Sequence, residues 1–487
     1  MAHLANTIRN FINGDFVDGA DEFDDLNPVD GSLVAKVQTA DSEIVDRAVR
    51  AARSAYEGPW AALPTPQRVA LLRRIADRID ERFEDFLKAE IADTGKPEGT
   101  ARALDVARAS ANFRSFADII ASAPLDAFRT ELGNGDVALQ YAIRKPLGVI
   151  GVIVPWNLPL LLLTWKVAPA LATGNVVVVK PSEETPATAT LLGEVMAEVG
   201  VPDGVYNVVH GYGDTGSLIT THSGVDGITF TGESKTGSAI MRAVSDRVLP
   251  VSFELGGKNA ALVFDDADLE KTVAGLTRSI FTNTGQVCLS TERVYIQKGI
   301  FDEVVAGLVE SAGSLKLGAP YAEGTTTGPL ISQKHRDKVL SYQRLAESAG
   351  AQTLIGGDIP DMGKELADGS WFSPTLWTHL HHEDRPMREE VFGPVAGLIP
   401  FETEKEAVQL ANDTEYGLAS ALWTQDVDRV HRVAPQMNVG LSWVNTWYLR
   451  DLRAPFGGSG MSGIGREGGM HSFDFYTEPV NVCIGQS

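Results

Sequence analysis

The chain has 487 residues, 42 Lys+Arg against 64 Asp+Glu for a formal charge of −22, and is 44% hydrophobic and 22% charged. That length suits two or three ordinary domains, and the composition is that of a globular protein rather than a disordered or fibrous one. The acidic balance argues against a nucleic-acid partner, since no basic surplus exists to neutralise phosphates. Two cysteines, Cys288 and Cys483, are too few for a disulfide framework and point to a reducing cytoplasm.

The opening stretch, MAHLANTIRNFINGDF, has no apolar signal core, so no leader is expected in it. A turn-rich β region (INGDFVDG, NPVDGSLVAKV) then gives way to helices. Asp41 is the expected N-cap of the first, with Ile44, Val45, Ala48, Val49 and Ala52 at helical spacing behind it. One longer helix is predicted after Pro66, its apolar face running from Leu72 through Ile75, Ile79 and Phe83 to Phe86, its end marked by Gly95. Both are expected to cover a sheet.

Between Lys145 and Lys166 lie 20 uncharged residues, enough to cross a bilayer. Gly148, Gly151, Pro155, Asn157 and Pro159 interrupt them, and lipid cannot satisfy the backbone groups such breaks expose. The segment therefore reads as a buried strand, a turn and the start of a helix, and no membrane partner is expected. From about 148 to 263 apolar runs alternate with helical stretches: Ile150–Val154, Val176–Val179, Val205–Val209, Ile228–Phe230, Val251–Phe253 and Ala260–Val263. Such alternation signals βαβ units around a parallel sheet, with ligands beyond the carboxyl ends of the strands. After about 257 the alternation restarts, with helices near Asp268–Phe281, Phe301–Ala312 and Gln333–Ser348 and strands near Ala396–Pro400 and Ala419–Trp423.

Glycine fingerprints are easily over-read. Gly211-x-Gly213-x-x-Gly216 and Gly463-x-Gly465-x-x-Gly468 both fit GxGxxG, but the dinucleotide motif should follow the first strand of its unit, where this chain has Pro155-Trp156-Asn157-Leu158-Pro159. An ordinary Rossmann dehydrogenase is thus disfavoured, and the 463–468 match, following no predicted strand, reads as a flexible glycine loop. More informative is Gly232-x4-Gly237 directly after Phe230-Thr231, where backbone can approach a pyrophosphate at a helix N-terminus. Lys180 and Glu183 follow the second strand, where an acidic residue hydrogen-bonds ribose hydroxyls; a solvated KPSEE loop is the alternative.

Cys288 follows polar residues and glycine (Thr282-Asn283-Thr284-Gly285-Gln286-Val287), which suits an accessible loop better than the buried apolar role that is the alternative. A thiolate nucleophile needs a base or activated water and a donor for the oxyanion it creates. Glu254, after a buried strand and before Leu255-Gly256-Gly257, is a candidate base whose pKa burial can raise. Asn157 offers an amide NH2 as that donor, or else caps a helix.

These residues carry a resemblance. Pro155-Trp156-Asn157, Lys180-Pro181-Ser182-Glu183, Phe230-Thr231-Gly232, Glu254-Leu255-Gly256-Gly257-Lys258, Gly285-Gln286-Val287-Cys288, Glu390-Val391-Phe392-Gly393-Pro394 and Pro455-Phe456-Gly457-Gly458 occur in the order and spacing of the NAD(P)-dependent aldehyde dehydrogenase superfamily, across essentially the whole chain. The resemblance implies a Rossmann-type parallel-sheet NAD domain (1–123 and 147–255), a second α/β catalytic domain (256–455) and a small β flap of bridging strands (124–146 and 471–487). Those strands imply a homodimer or homotetramer, with Cys483 packing there. No metal is implied.

The same resemblance assigns Cys288 as nucleophile, Asn157 with the Cys288 N–H as oxyanion donors, and Glu254 as activator of the water that hydrolyses the thioester. Val154, Pro155, Trp156, Lys180, Ser182, Glu183, Gly213, Phe230, Thr231, Gly232, Glu233, Leu255, Gly256, Glu390 and Phe392 are the expected NAD contacts. Glu183 favours NAD over NADP. Glu233 is a departure, since the family commonly has serine there, and a carboxylate near a pyrophosphate is costly unless it points away.

Many relatives that take neutral aldehydes have an aromatic residue about six positions before the Phe of PFGG; here Arg450 takes that place before Phe456. An arginine in an apolar tunnel is expensive unless it meets an anion, and its planar fork matches a carboxylate. Phe230-Thr231-Gly232-Glu233, Leu449-Arg450-Asp451-Leu452-Arg453 and Phe11-Ile12-Asn13-Gly14 look most like the 2-hydroxymuconic semialdehyde dehydrogenases, whose 2-aminomuconic relatives share the pattern. That group implies a second arginine on the carboxylate, best matched by Arg108 with Arg114 the weaker match, and Leu158, Leu162 and Trp165 along an apolar wall. The alternatives are another semialdehyde or a neutral aromatic aldehyde, with Arg450 paired to Asp451 or another acid, or a silent NAD-binding protein.

Overall fold

The computed structural model describes residues 7–486; Met1–Asn6 of the opening stretch and Ser487 of the 471–487 segment lie outside the described residues. Strands Asn10–Ile12 and Asp15–Val17 form a hairpin through Asn13 and Gly14, both at positive φ (57° and 83°), which an Asn-Gly turn supplies with little strain. Helix α1 (Ser42–Glu57) starts where Asp41 accepts from the Glu43 and Ile44 N–H groups.

The single helix predicted after Pro66 is two, α2 (Thr65–Glu81) and α3 (Phe83–Thr94). Arg82 sits between them at φ −99°, ψ 20°, its guanidinium held by Asp85, Glu194 and Glu198, and these ion pairs outweigh the continuous apolar spacing. Gly95 closes α3 in the left-handed region. A π-helical turn, Ala101–Val106, leads into α4 (Ala107–Ala121).

The first large sheet is built from β1 (Val149–Ile153), α5 (Pro159–Ala172), β2 (Val176–Lys180), α6 (Ala187–Glu198), β3 (Tyr206–Val208), α7 (Gly213–Thr221), β4 (Gly227–Thr231), α8 (Ser234–Val244) and β5 (Val251–Glu254). Its five parallel strands lie in the order β5-β4-β1-β2-β3, extended past β3 by the N-terminal hairpin. The order reverses between β1 and β4, where chain connections diverge to opposite sides and open a crevice. Val176–Val179 are wholly buried, as a parallel sheet covered on both faces demands. The uncharged run 146–165 is the strand, turn and helix start expected of it, and among the described residues no helix is long and apolar enough to cross a membrane.

Two expectations change here. Ala260–Val263 does not extend this sheet but starts the second one. The glycines at 463–468 are not a loose loop, because Gly463–Ile464 pairs antiparallel with Phe253 and Glu254 at the edge of the first sheet. No local signal announces a two-residue strand whose partner lies some 200 positions earlier.

The second sheet comprises β6 (Asn259–Val263), α9 (Leu269–Phe281), β7 (Thr291–Gln297), α10 (Phe301–Gly313), α11 (Gln333–Ser348), β8 (Gln352–Ile355), β9 (Thr375–Thr378), β10 (Val395–Phe401), β11 (Ala419–Trp423) and β12 (Leu441–Val444). Its order is β8-β9-β10-β7-β6-β11-β12, parallel except for β8 against β9. A third, antiparallel sheet joins Ala127–Glu131, Val137–Pro146 and Thr477–Gln486. Phe128, Leu139, Val480 and Ile484 are exposed on it, as is Cys483.

Candidate active site

A cleft of about 740 Å³ opens beyond the carboxyl ends of β1, β2, β4 and β5 and is closed on its far side by the second α/β unit. All fifteen expected cofactor contacts line it. Val154, Pro155 and Trp156 follow β1; Lys180, Ser182 and Glu183 follow β2; Gly213 opens α7. Phe230 and Thr231 end β4, Gly232 and Glu233 precede α8, and Leu255 and Gly256 follow β5. Glu390 and Phe392 reach in from the loop before β10. Asn157 and Cys288 share the same lining.

Local packing explains several motif residues. Lys180 is buried with Nζ 2.8 Å from the Pro181 carbonyl oxygen and 3.6 Å from Glu183 Oε2, and burial pulls its pKa below the usual lysine range. A side chain at Gly232 would strike the Phe230 ring, and one at Gly237 would strike Leu255. Glu233 occupies the N-cap position of α8 without capping it and is exposed to solvent, so its charge stays hydrated. Glu390 accepts from the Gly257 N–H at 2.8 Å so closely that a Cβ at Gly256 would overlap its carboxylate. Burial, with Glu292 nearby, pushes the Glu390 carboxyl up to about 7.

Cys288 is half-buried in a cluster with Trp443, Trp447 and Phe456. Asn259 Nδ2 donates to its carbonyl oxygen at 2.7 Å. Removal from water, reinforced by Glu254 and Glu390 and opposed by Arg450, pushes the thiol up to about 12. The surroundings of the resting sulfur therefore favour the thiol over the thiolate. Asn157 is 4% exposed and donates from Nδ2 to the Gln286 carbonyl oxygen at 3.0 Å, leaving its second N–H unused among the described residues.

Glu254 ends β5, 4% exposed, with neither carboxylate oxygen hydrogen-bonded among the described residues. Gly457 of the PFGG motif (φ +144°) leaves room for it: a Cβ there would sit 2.7 Å from Oε1. Burial holds its pKa well above the carboxylate range, with the Glu467 charge adding to the rise and Lys166 and Arg450 opposing it. Lys166 in turn bonds Glu467 at 2.7 Å and Thr229 at 2.9 Å.

A second group adjoins the thiol. The Arg450 guanidinium carbon lies 4.7 Å from the Trp165 ring centre and 3.9 Å from that of Phe456, and the Arg108 guanidinium lies 5.9 Å from Trp165. Buried donors on both are unpaired among the described residues: Nη2 of Arg450, and Nε and Nη2 of Arg108. Burial pulls Arg450 down to about 10 and lowers Arg108 as well. Leu158 and Leu162 pack together with Leu104 and Leu161.

Two of the alternative readings fail. Arg114 faces α2, paired with Asp77 at 2.7 Å and Asp80 at 2.6 Å, so it is a surface charge on a satisfied helix contact. Arg450 is not neutralised by Asp451, whose oxygens are 2.6–2.9 Å from the Arg453 guanidinium. Sequence reasoning also missed residues. Ser332, Lys334, His335 and Lys338 line the cleft at the start of α11, where His335 bonds the Phe392 carbonyl oxygen at 2.7 Å and stacks edge-on against Trp156. Nothing local distinguishes them from an ordinary amphipathic helix. The Lys166–Glu467 pair was equally hidden, although a lone charge ending a 20-residue apolar run was a usable signal.

Known proteins share this arrangement. The family model described as the aldehyde dehydrogenase family matches residues 16–482. A 2-aminomuconic 6-semialdehyde dehydrogenase of a Pseudomonas species is 57% identical over 98% of this chain and 97% of its own. A 2-hydroxymuconic semialdehyde dehydrogenase of Pseudomonas sp. (strain CF600) is 54% identical over 98% and 99%. An NAD+ complex structure of a Bacillus cereus aldehyde dehydrogenase superposes with a TM-score of 0.95 at 37% identity, covering 100% of this chain and 98% of that one. With its doubly wound sheet, its cleft and the thiol, amide and buried carboxyl gathered there, the chain belongs to the aldehyde dehydrogenase family.

Proposed function

We propose that the protein is an NAD-dependent dehydrogenase of an unsaturated semialdehyde that carries a carboxylate, with 2-hydroxymuconate semialdehyde as substrate. The observation that carries the substrate class is the pair of half-buried arginines, Arg450 and Arg108, whose buried donors are unpaired among the described residues around Trp165 beside the Cys288 cluster. Leaving such donors unmatched costs about 1–3 kcal/mol each, which a substrate carboxylate recovers.

The cleft fits a dinucleotide on three counts. It has the volume of a cofactor pocket. The buried Thr231 hydroxyl at the end of β4 has no partner among the described residues. Lys180 and the partly exposed Glu183 stand where an adenine ribose is held, and Glu183 would repel a 2′-phosphate. Glu390 is the group for the second ribose, Phe392 packs near the nicotinamide end, and the N-termini of α7 and α8 flank the pyrophosphate. Bound NAD supplies the hydride acceptor.

Cys288 attacks the aldehyde carbon, its proton leaving to solvent water as the sulfur bonds. The Asn157 amide and the Cys288 N–H stabilise the resulting oxyanion. Loss of hydride from that carbon leaves a thioester on Cys288. Glu254, ionised, takes a proton from water, whose oxygen attacks the thioester carbon; the sulfur leaves as thiolate and regains that proton from Glu254, and a dicarboxylate is released. Leu158, Leu162, Trp165 and Phe456 hold the conjugated chain while Arg450 and Arg108 grip the distal carboxylate. The exposed apolar strip on the third sheet supports a dimer or a pair of dimers joined through it.

A second reading, 2-aminomuconate semialdehyde as the preferred substrate, is favoured by the 57% identical relative named for it. Comparing kcat/KM for the two semialdehydes and benzaldehyde decides the matter. The first reading expects the hydroxy compound highest and benzaldehyde at least about 100-fold lower, the scale of one lost charged hydrogen-bond pair. Comparable rates on benzaldehyde sink the carboxylate assignment.

A further inference from the structure

Two segments far apart in sequence carry the oxyanion donors assigned above. The turn after β1 bears the Asn157 amide, and the loop after α9 bears the Cys288 N–H. Asn283 joins them. It is 7% exposed, does not line the cleft, and adopts a left-handed backbone (φ 54°, ψ 35°), as does Thr284 (φ 57°, ψ 36°). Asn283 Nδ2 donates to the Asn157 carbonyl oxygen at 3.0 Å and to the Gln286 carbonyl oxygen at 3.2 Å. That Gln286 carbonyl also accepts from Asn157 Nδ2 at 3.0 Å. The loop is closed from the other side, because the Asn283 carbonyl oxygen accepts from the Gln286 N–H at 3.0 Å and from Gln286 Nε2 at 3.2 Å. Gln286 Oε1 then accepts from the Ile331 N–H at 2.9 Å, anchoring the loop to the segment before α11.

Three consequences follow from donor and acceptor counting. Both lone pairs of the Gln286 carbonyl are used, by two amides from different segments. The Asn157 amide cannot flip, since its Oδ1 would then face a carbonyl oxygen, so the second Nδ2 hydrogen is held in one direction. The peptide two residues before Cys288 is fixed relative to the Asn157 backbone, which sets the spacing of the two oxyanion donors. Consecutive left-handed non-glycine residues are sustained where surrounding bonds over-determine them, and asparagine tolerates that conformation better than most side chains.

We propose that Asn283 is a positioning residue of the oxyanion site, acting through Asn157 and the Gln286–Cys288 backbone rather than on the substrate. This rests on the reading of Asn157 and the Cys288 N–H as oxyanion donors. Asn283→Gly keeps the left-handed backbone while removing the bridge, and Asn283→Asp keeps the size while replacing the donating amide with an acceptor. In the full-length protein with saturating NAD, both are expected to slow single-turnover NADH formation about 10- to 100-fold, the scale of a misplaced donor. The KM for NAD should stay within about twofold of the parent. Asn157→Ala should lose about 100- to 1,000-fold, and Asn157→Ala/Asn283→Gly should be no slower than Asn157→Ala, because residues acting through one another are not additive. Parental single-turnover rates in both Asn283 variants overturn the proposal, and so do losses that multiply in the double variant. A parental rate in Asn157→Ala instead marks failure of the oxyanion assignment itself and takes the proposal with it.

Discussion

Replacing Arg450 with methionine separates binding from stability at one position. The guanidinium packs 3.9 Å from the Phe456 ring centre and 4.7 Å from Trp165, and its Nη2 has no partner among the described residues. A charged hydrogen bond contributes about 1.5–3 kcal/mol, so a forked grip on a carboxylate is worth about 3–5 kcal/mol before Arg108 compensates in part. At about 1.4 kcal/mol per tenfold change, kcat/KM for the carboxylated semialdehyde should fall about 100- to 1,000-fold, chiefly through KM. Benzaldehyde, which has no carboxylate, should change less than about threefold. The variant should also be more stable than the parent by about 1–2 kcal/mol, because a half-buried cation with an unpaired buried donor gives way to an unbranched apolar chain that fills the same stem. Steady-state kinetics on both aldehydes and a thermal melt measure all three quantities. Equal loss on both substrates, or a lower melting temperature with no change in selectivity, would refute the carboxylate grip.

Further outcomes test the other assignments. Because burial raises the pKa of Glu254, the base form is depleted as pH falls, so turnover should decline toward acid with a midpoint well above 4.5; a rate flat from pH 5 to 8 would contradict the assignment. Glu254→Gln should release about one NADH per site in a rapid phase and then stall, since thiol attack and hydride loss do not require that carboxylate as hydrolysis does; stopped-flow absorbance reads this directly. With the thiol pushed up to about 12, iodoacetamide should alkylate nucleotide-free Cys288 slowly, about tenfold faster per pH unit between 7 and 9, and more slowly still in Arg450→Met, where the opposing charge is gone. Glu183→Ala should raise kcat/KM with NADP by about 10-fold or more while costing activity with NAD; unchanged NADP use would remove Glu183 from the ribose site.

Sequence and structure meet most closely at the strand ends. A buried parallel strand must stop abruptly, and residues such as Pro155-Trp156-Asn157 after β1 or Leu255-Gly256-Gly257 after β5 announce the stop by chemistry that neither strand nor helix tolerates. All of those but Gly257 line the cleft, because the strands are parallel and deliver their carboxyl ends to one side. Where reasoning failed, a distant partner intervened. Arg82 broke a helix whose apolar spacing ran on, through ion pairs to residues more than 100 positions away. Gly463–Ile464 became a strand through β5.

By itself the chain's order of residues determined the alternating α/β architecture and the thiol, amide and carboxyl the site can draw upon, since these follow from short-range periodicity and residue type. Tertiary structure alone decided how those groups are charged and which are free. Arg114 is matched by Asp77 and Asp80, whereas the half-buried Arg108 and Arg450 keep buried donors unpaired among the described residues, and the motif match that ranks the three says nothing of their pairing. The physical reason is that solvation and pairing belong to a side chain's surroundings, which are assembled from segments hundreds of residues apart.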